Sequence, residues 1–219
     1  MQQLEFYFDY LSPYAYFAWN ELDTFCQDHG LAPSIKPVVF GKLLDHWGQL
    51  GPAEILPKRE ALIRYSLYYA STNHLPLAFP KNHPFNSLPA LRASLPMVSG
   101  SRQAELVSAI FSAGWGKGQD IGDPAIIIKI AERVGIDRQA VAEAIVSENV
   151  KQALKDNTAE AIEKGVFGIP TMVYDDNLYW GNDQFAFLSA VIRGTYKTDI
   201  NRFNDAKNRI RAIDRKRMP

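Results

Sequence analysis

Cysteine is almost missing from this chain of 219 residues, where Cys26 stands alone. A single thiol excludes an internal disulfide, a two-cysteine redox couple and a cysteine-based zinc site. Net charge is missing too: 24 basic residues face 24 acidic ones, so the chain as a whole makes no electrostatic case for nucleic acid or for an acidic partner. No apolar run nears the roughly 20 residues of a membrane span, and the N-terminus has no basic stretch followed by an apolar one. The expected location is therefore cytoplasmic. The histidines, His29, His46, His74 and His83, keep no ligand spacing, so no metal site is expected. Repeats and Gly/Ser-rich linkers are also missing.

What is there suits a soluble protein with a full core: 47% hydrophobic and 22% charged residues. Only the end is uneven. From Lys197 to Pro219 there are eight basic and three acidic residues, with Ile200, Phe203, Ile210 and Ile213 at loosely helical spacing. Residues 197–219 read as a basic C-terminal extension whose helix is solvated or docks a partner, rather than as a nucleic-acid arm.

Along the chain, "LEFYFDY" from Leu4 is aromatic on both alternating faces and predicts a buried strand. Ser12 then fits a helix cap, Pro13 the first helical position, and Gly30 the stop of a helix with apolar residues at Ala15, Ala18, Trp19, Leu22, Phe25 and Cys26. "SIKPVVF", Ser34 to Phe40, predicts a second strand, with Pro37 pointing to an edge or a strand start. The three together form a right-handed βαβ unit. From Leu43 to about Gly165 the pattern is helical, with Asp123-Pro124 and Asp137 as helix starts and a long helix from Glu148 to Lys164. "TMVY" and "NLYW" then predict a hairpin turning at Asp175 and Asp176, and a last helix runs from Asp183 to Arg193, stopped by Gly194. The expected architecture is α/β: a thioredoxin fold, βαβ followed by ββα, made of residues 1–42 and 165–196, with an all-helical insertion over 43–164.

Three places invite chemistry. Ser12 lies between a strand and a helix N-terminus, where unpaired N–H groups and the helix dipole favour an anion; helix capping, about 1 kcal/mol, explains it equally simply. In "GVFGIPTMVY", Pro170 directly precedes a strand after a glycine-hinged turn. A cis bond there presents the backbone of Ile169 as a small strand edge to an extended peptide; an ordinary trans turn is the alternative. In "WGNDQ", Asn182 and Asp183 cap the last helix or hold an ammonium group.

Taken in order, "FDYLSPYAY", "HPFNSLPALR", "GVFGIPTMVY" and "YWGNDQ" resemble the 2-hydroxychromene-2-carboxylate isomerases and the related kappa-class glutathione transferases, a branch of the DsbA-like thioredoxin superfamily. The resemblance spans Leu4 to Gly194. It implies a cis-proline at Pro170, glutathione as cofactor, a small aromatic substrate and a homodimer. It further implies that glutathione lies along Ile169 and Pro170, its γ-glutamyl end near Asn182 and Asp183, and that its sulfur meets Ser12, which stands where redox relatives carry an attacking cysteine. The implied reaction interconverts 2-hydroxychromene-2-carboxylate and trans-o-hydroxybenzylidenepyruvate in aromatic catabolism.

For an anionic carboxylate the insertion offers Lys42, Lys58, Arg59 and Asn86. The motifs favour Lys58, counted with the glutathione contacts as well, and Asn86; a solvated lysine and an asparagine cap are the plainer readings. Tyr14, Phe85, His83 and Trp115 suit an aromatic pocket or plain packing. Gln184 stands where relatives commonly carry arginine, which leaves the local charge at the γ-glutamyl end open. A glutathione transferase acting on other electrophiles is the alternative enzyme, and a non-catalytic peptide-binding thioredoxin fold is the alternative outside enzymes.

Overall fold

The computed structural model describes residues 1–210, so the stretch that holds Ile213 lies outside the described residues. The chain opens as expected with strand β1 (Gln2–Phe8), helix α1 (Pro13–His29) and strand β2 (Leu31–Pro37). Gly30, at φ 64°, closes α1 with a left-handed turn and donates to the carbonyls of Cys26 and Gln27. That reversal leads straight into β2, so the strand starts at Leu31 and not at Ser34. The apolar "VVF" that resembles strand does not extend it: Val38 makes one last bond to Phe8 O at 3.0 Å, and Phe40 begins the next helix. Pro37 thus ends the strand. β2 lies at the sheet edge, where the missing N–H groups of Pro33 and Pro37 cost little.

The helical block follows as α2 (Phe40–Trp47), α3 (Leu56–Thr72), α4 (Leu88–Ala93), α5 (Pro96–Ser99), α6 (Gln103–Phe111), α7 (Pro124–Arg133), α8 (Arg138–Ala144) and α9 (Glu148–Glu163). α6 runs on into a wider turn at Ser112–Gly116. Asp123 and Asp137 cap α7 and α8 through Ala125 N–H and Ala140 N–H, as their positions predict. Strands β3 (Thr171–Tyr174) and β4 (Asn177–Trp180) form the hairpin, with Asp175 and Asp176 both at positive φ. A first compact unit ends at Phe185, and a second begins at Ala186. Helix α10 (Phe185–Ile192) starts two residues later than Asp183. In the second unit Tyr196 N–H bonds Ala190 O, and Asp199 caps α11 (Ile200–Lys207).

The sheet order is β2-β1-β3-β4, with β1 and β2 parallel and β3 antiparallel to both β1 and β4. This is the thioredoxin fold with its helical block between β2 and β3. The register does the positioning. Tyr7 faces Thr171, and Thr171 faces Trp180, so the exit of β1, the entry of β3 and the exit of β4 share one end of the sheet. Beneath it Ile169 packs with Tyr7, Val38, Leu43, Ala161, Val166 and Val173.

Candidate active site at the Ser12 turn

Ser12 occupies the cap of α1, and its Oγ accepts from Ala15 N–H at 3.2 Å. Capping is therefore real. It does not use up the hydroxyl, because an oxygen that accepts still has its own O–H to donate. Pro13 has no N–H, Ala15 N–H goes to Ser12 Oγ and Tyr16 N–H to Ser12 O, so this O–H, the Tyr14 N–H and the helix dipole are what the start of α1 offers an anion.

The turn leading to it is clamped from outside. Asp9 Oδ1 accepts from Leu11 N–H at 3.1 Å, and Asp9 O accepts from Ser12 N–H at 3.2 Å. Trp115, wholly buried, donates its indole N–H to Tyr10 O at 2.7 Å, and His83 Nε2 bonds Leu11 O at 2.8 Å. A carbonyl only accepts, so this nitrogen carries the proton. Burial lowers the His83 pKa, the bond to Leu11 works against that, and Arg59 nearby lowers it further; the ring is held neutral. His83 and Trp115, candidates for pocket walls, also hold the carbonyls before Ser12, a role their sequence positions do not reveal.

Asp9 itself is fully buried. Burial raises its carboxyl to about 6, opposed by donors at Phe40, Ser87, Leu11 and Tyr10, all of them neutral. The sequence signal is slight: one carboxylate directly after the aromatic run that ends β1.

The other two motifs reach the same sheet end. The Ile169–Pro170 bond is cis, and the ladder with β1 begins at Thr171, one residue beyond. Pro170 O accepts from Gly181 N–H at 2.9 Å, which ties the cis-proline loop to the "WGND" loop. Gly181 takes φ 115°, a conformation that other residues rarely adopt, and so turns the chain toward Asn182. Asn182 is 6% exposed, and its Nδ2 has no hydrogen-bond partner of ordinary geometry among the described residues. Asn182 lies close enough to Tyr69 to offset in part the upward pull of burial on that phenol. Asp183 is exposed; burial above all, then Tyr65 and Asp183, push up the Tyr14 phenol.

Tyr14 meets Tyr65 of α3 edge-on at 5.4 Å, and Tyr65 in turn meets Tyr69 at 5.9 Å. An aromatic wall from α1 and α3 thus stands beside the "WGND" loop. Tyr65 and Tyr69 escape a reading of the sequence because tyrosines at helical spacing look like packing. Phe85 meets His83 at 6.2 Å, which brings it toward the Leu11 end. Asn86 is exposed and its Oδ1 accepts from Leu88 N–H at 3.2 Å, so the plain capping role is in use. Lys58 is exposed in the first turn of α3, one residue before the Arg59 that acts on His83. Cys26 is buried, and burial followed by Asp23 raises its thiol to about 11, which makes it a poor nucleophile. Among the described residues no cluster could hold a metal ion, and no helix is long and apolar enough to cross a membrane.

Comparison with known proteins agrees with this geometry. A 2-hydroxychromene-2-carboxylate isomerase of Sphingobium xenophagum is 30% identical over 194 residues, covering 86% of this chain and 97% of that protein. Glutathione S-transferase kappa 1 of Homo sapiens is 25% identical over 205 residues, covering 86% and 90%. The solved structure of a 2-hydroxychromene-2-carboxylate isomerase superposes with a TM-score of 0.81 at 28% identity, covering 94% of this chain and all of that one. The model of the DSBA-like thioredoxin domain matches residues 3–193. The chain belongs to the DSBA-like thioredoxin family, on the side of it that resembles the 2-hydroxychromene-2-carboxylate isomerases.

Proposed function

We propose that the protein is a glutathione-dependent isomerase acting on a small conjugated aromatic keto acid, with 2-hydroxychromene-2-carboxylate and trans-o-hydroxybenzylidenepyruvate as the pair to test. One observation carries the reading: the Ser12 hydroxyl shares a sheet end with the ladder-free backbone at Ile169 and with the buried Asn182, whose Nδ2 lies beside Tyr69 and makes no hydrogen bond of ordinary geometry among the described residues. These are a donor for a thiolate, an edge for a short peptide and a donor for its far end. Glutathione fits that set. Ile169 and Pro170 would hold its peptide portion, Asn182 and Asp183 its γ-glutamyl end, and Lys58 a carboxylate.

When bound, glutathione would supply a thiolate nucleophile, the chemistry by which a double bond conjugated with a ketone can be isomerised without net consumption of the thiol. The protein's part is to keep that sulfur ionised and the substrate aligned. A free thiol with a pKa near 8.5 is only a few per cent ionised at neutral pH, and each tenfold change in its ionisation constant corresponds to about 1.4 kcal/mol. The end of α1 contributes about 0.3 to 1 kcal/mol, less than one such step. A hydroxyl donating to a charged acceptor contributes about 1.5 to 3 kcal/mol, about one to two steps. Ser12 and the helix end together make the thiolate the major form. Tyr14 and Phe85 would flank the aromatic ring, with Asn86 toward its carboxylate.

The test is to follow the interconversion optically with purified protein, with and without glutathione, while free thiol is assayed in parallel. Turnover that needs glutathione without consuming it supports the isomerase. Loss of thiol in step with turnover supports a transferase like the kappa enzymes. Glutathione binding without turnover on this pair moves the substrate to another electrophile. We also propose that the working form is a homodimer, which the mass in solution tests.

A further inference from the structure

Asp9 is a fully buried carboxylate that makes no ion pair among the described residues. Its donors come from three separate segments. Leu11 and Tyr10 give backbone N–H groups from the turn before α1, Phe40 gives its N–H at 3.0 Å from the start of α2, and Ser87 gives its hydroxyl from the start of α4. Helix α2 has no side-chain cap of its own, because Val39 carries no oxygen, and its Phe40 N–H goes to Asp9 of another segment. At α4 Asn86 takes Leu88 N–H, and the Ser87 hydroxyl is left to tie that helix start to Asp9.

We infer that Asp9 is the positioning residue of the Ser12 turn: its carboxylate draws the starts of α1, α2 and α4 together and so aims the Ser12 hydroxyl at the bound thiol. The thiol part of this rests on the glutathione reading above. A carboxylate is the group the spot requires, because two oxygens with about four lone-pair sites match four converging donors, whereas an amide offers one oxygen and adds two N–H groups of its own. The charge is unpaired and works against stability, a cost that packing alone would not explain and that is common where a site is held ready. Tyr10, the titratable neighbour, is shielded in its own bond to Ser94 at 2.6 Å.

Asp9→Asn tests this through two independent readouts. Without any ligand, amide hydrogen exchange at Ala15, whose N–H the Ser12 Oγ accepts, is expected to speed up about ten-fold while Ile130 of α7 stays as it was. With glutathione bound, its thiol pKa is followed in the parent protein, Asp9→Asn, Ser12→Ala and the double variant. Asp9→Asn is expected to raise it by about one pH unit, and to add nothing once Ser12 is alanine. Equal shifts in both backgrounds would reveal a plain charge effect and overturn the inference, as would an unchanged titration or an unchanged Ala15. If the parent protein binds no glutathione, the cofactor reading falls and the Ala15 exchange alone decides the positioning role. Ser87→Ala, which removes one donor and leaves the carboxylate, should act in the same direction with smaller size and serves if Asp9→Asn does not fold.

Discussion

Asp9 should tilt the pH dependence of stability in a direction opposite to that of most carboxylates. Burial lifts its carboxyl from 3.8 to about 6, so between these values the folded chain holds more protons than the unfolded one. Stability contributed by this group is then greatest in acid and is lost as pH rises through the folded value. A rise of about two pH units, at about 1.4 kcal/mol for each, makes a penalty of about 3 kcal/mol, complete above about pH 7. Roughly half of it, about 1 to 2 kcal/mol, develops between about pH 5 and about pH 7.5. Urea unfolding of the parent protein and of Asp9→Asn at those two pH values isolates the effect, because every other titrating group is common to both. The variant's absolute level carries an offsetting cost of about 1 to 3 kcal/mol for the donor it leaves unpaired, so the difference between the two pH values is the quantity to read. Going from the lower to the higher pH, the parent should lose about 1 to 2 kcal/mol relative to the variant. Parallel profiles, or a parent that gains, would refute the reasoning and mean that the neutral donors outweigh burial.

Ser12→Ala is expected to raise the thiol pKa of bound glutathione by at least about one pH unit, and an unchanged titration would remove Ser12 from its proposed role. Asn86→Ala should weaken the aromatic substrate more than glutathione in parallel binding measurements; equal losses would point to its capping of Leu88 instead. Trp115→Phe keeps most of the ring volume but strips the buried Tyr10 carbonyl of its partner, so stability from urea unfolding should fall by about 1 to 3 kcal/mol at unchanged slope. A loss below about 0.5 kcal/mol would mean that water replaces the indole N–H.

Much of the fold is local enough to read in advance. The aromatic alternation of β1, the Ser12-Pro13 start of α1, its Gly30 stop and the double-aspartate hairpin each depend on a few neighbouring residues. The end of β2 and the beginning of α10 are different. "VVF" has the side chains of a strand, yet it turns into α2 because Phe40 N–H is taken by Asp9, 31 residues away. Asp183 looks like a helix start, yet α10 begins at Phe185, since Gly181 and Pro170 bind the preceding loop to the β3 entrance.

The order of residues is enough to establish that this chain carries a single thiol, that Ser12-Pro13 stands at a helix start, and that Pro170 stands directly before a strand. What surrounds that serine was settled by tertiary structure. His83 bonds Leu11 across 72 positions and Trp115 bonds Tyr10 across 105. Asn182 comes to rest against Tyr69. Such pairs leave no periodicity behind, because they arise where a sheet register and a packed helical block bring distant residues to one end. Burial obeys the same rule. Asp9 is an ordinary acidic residue in the chain, and it became an unpaired buried charge only when three helix starts closed over it.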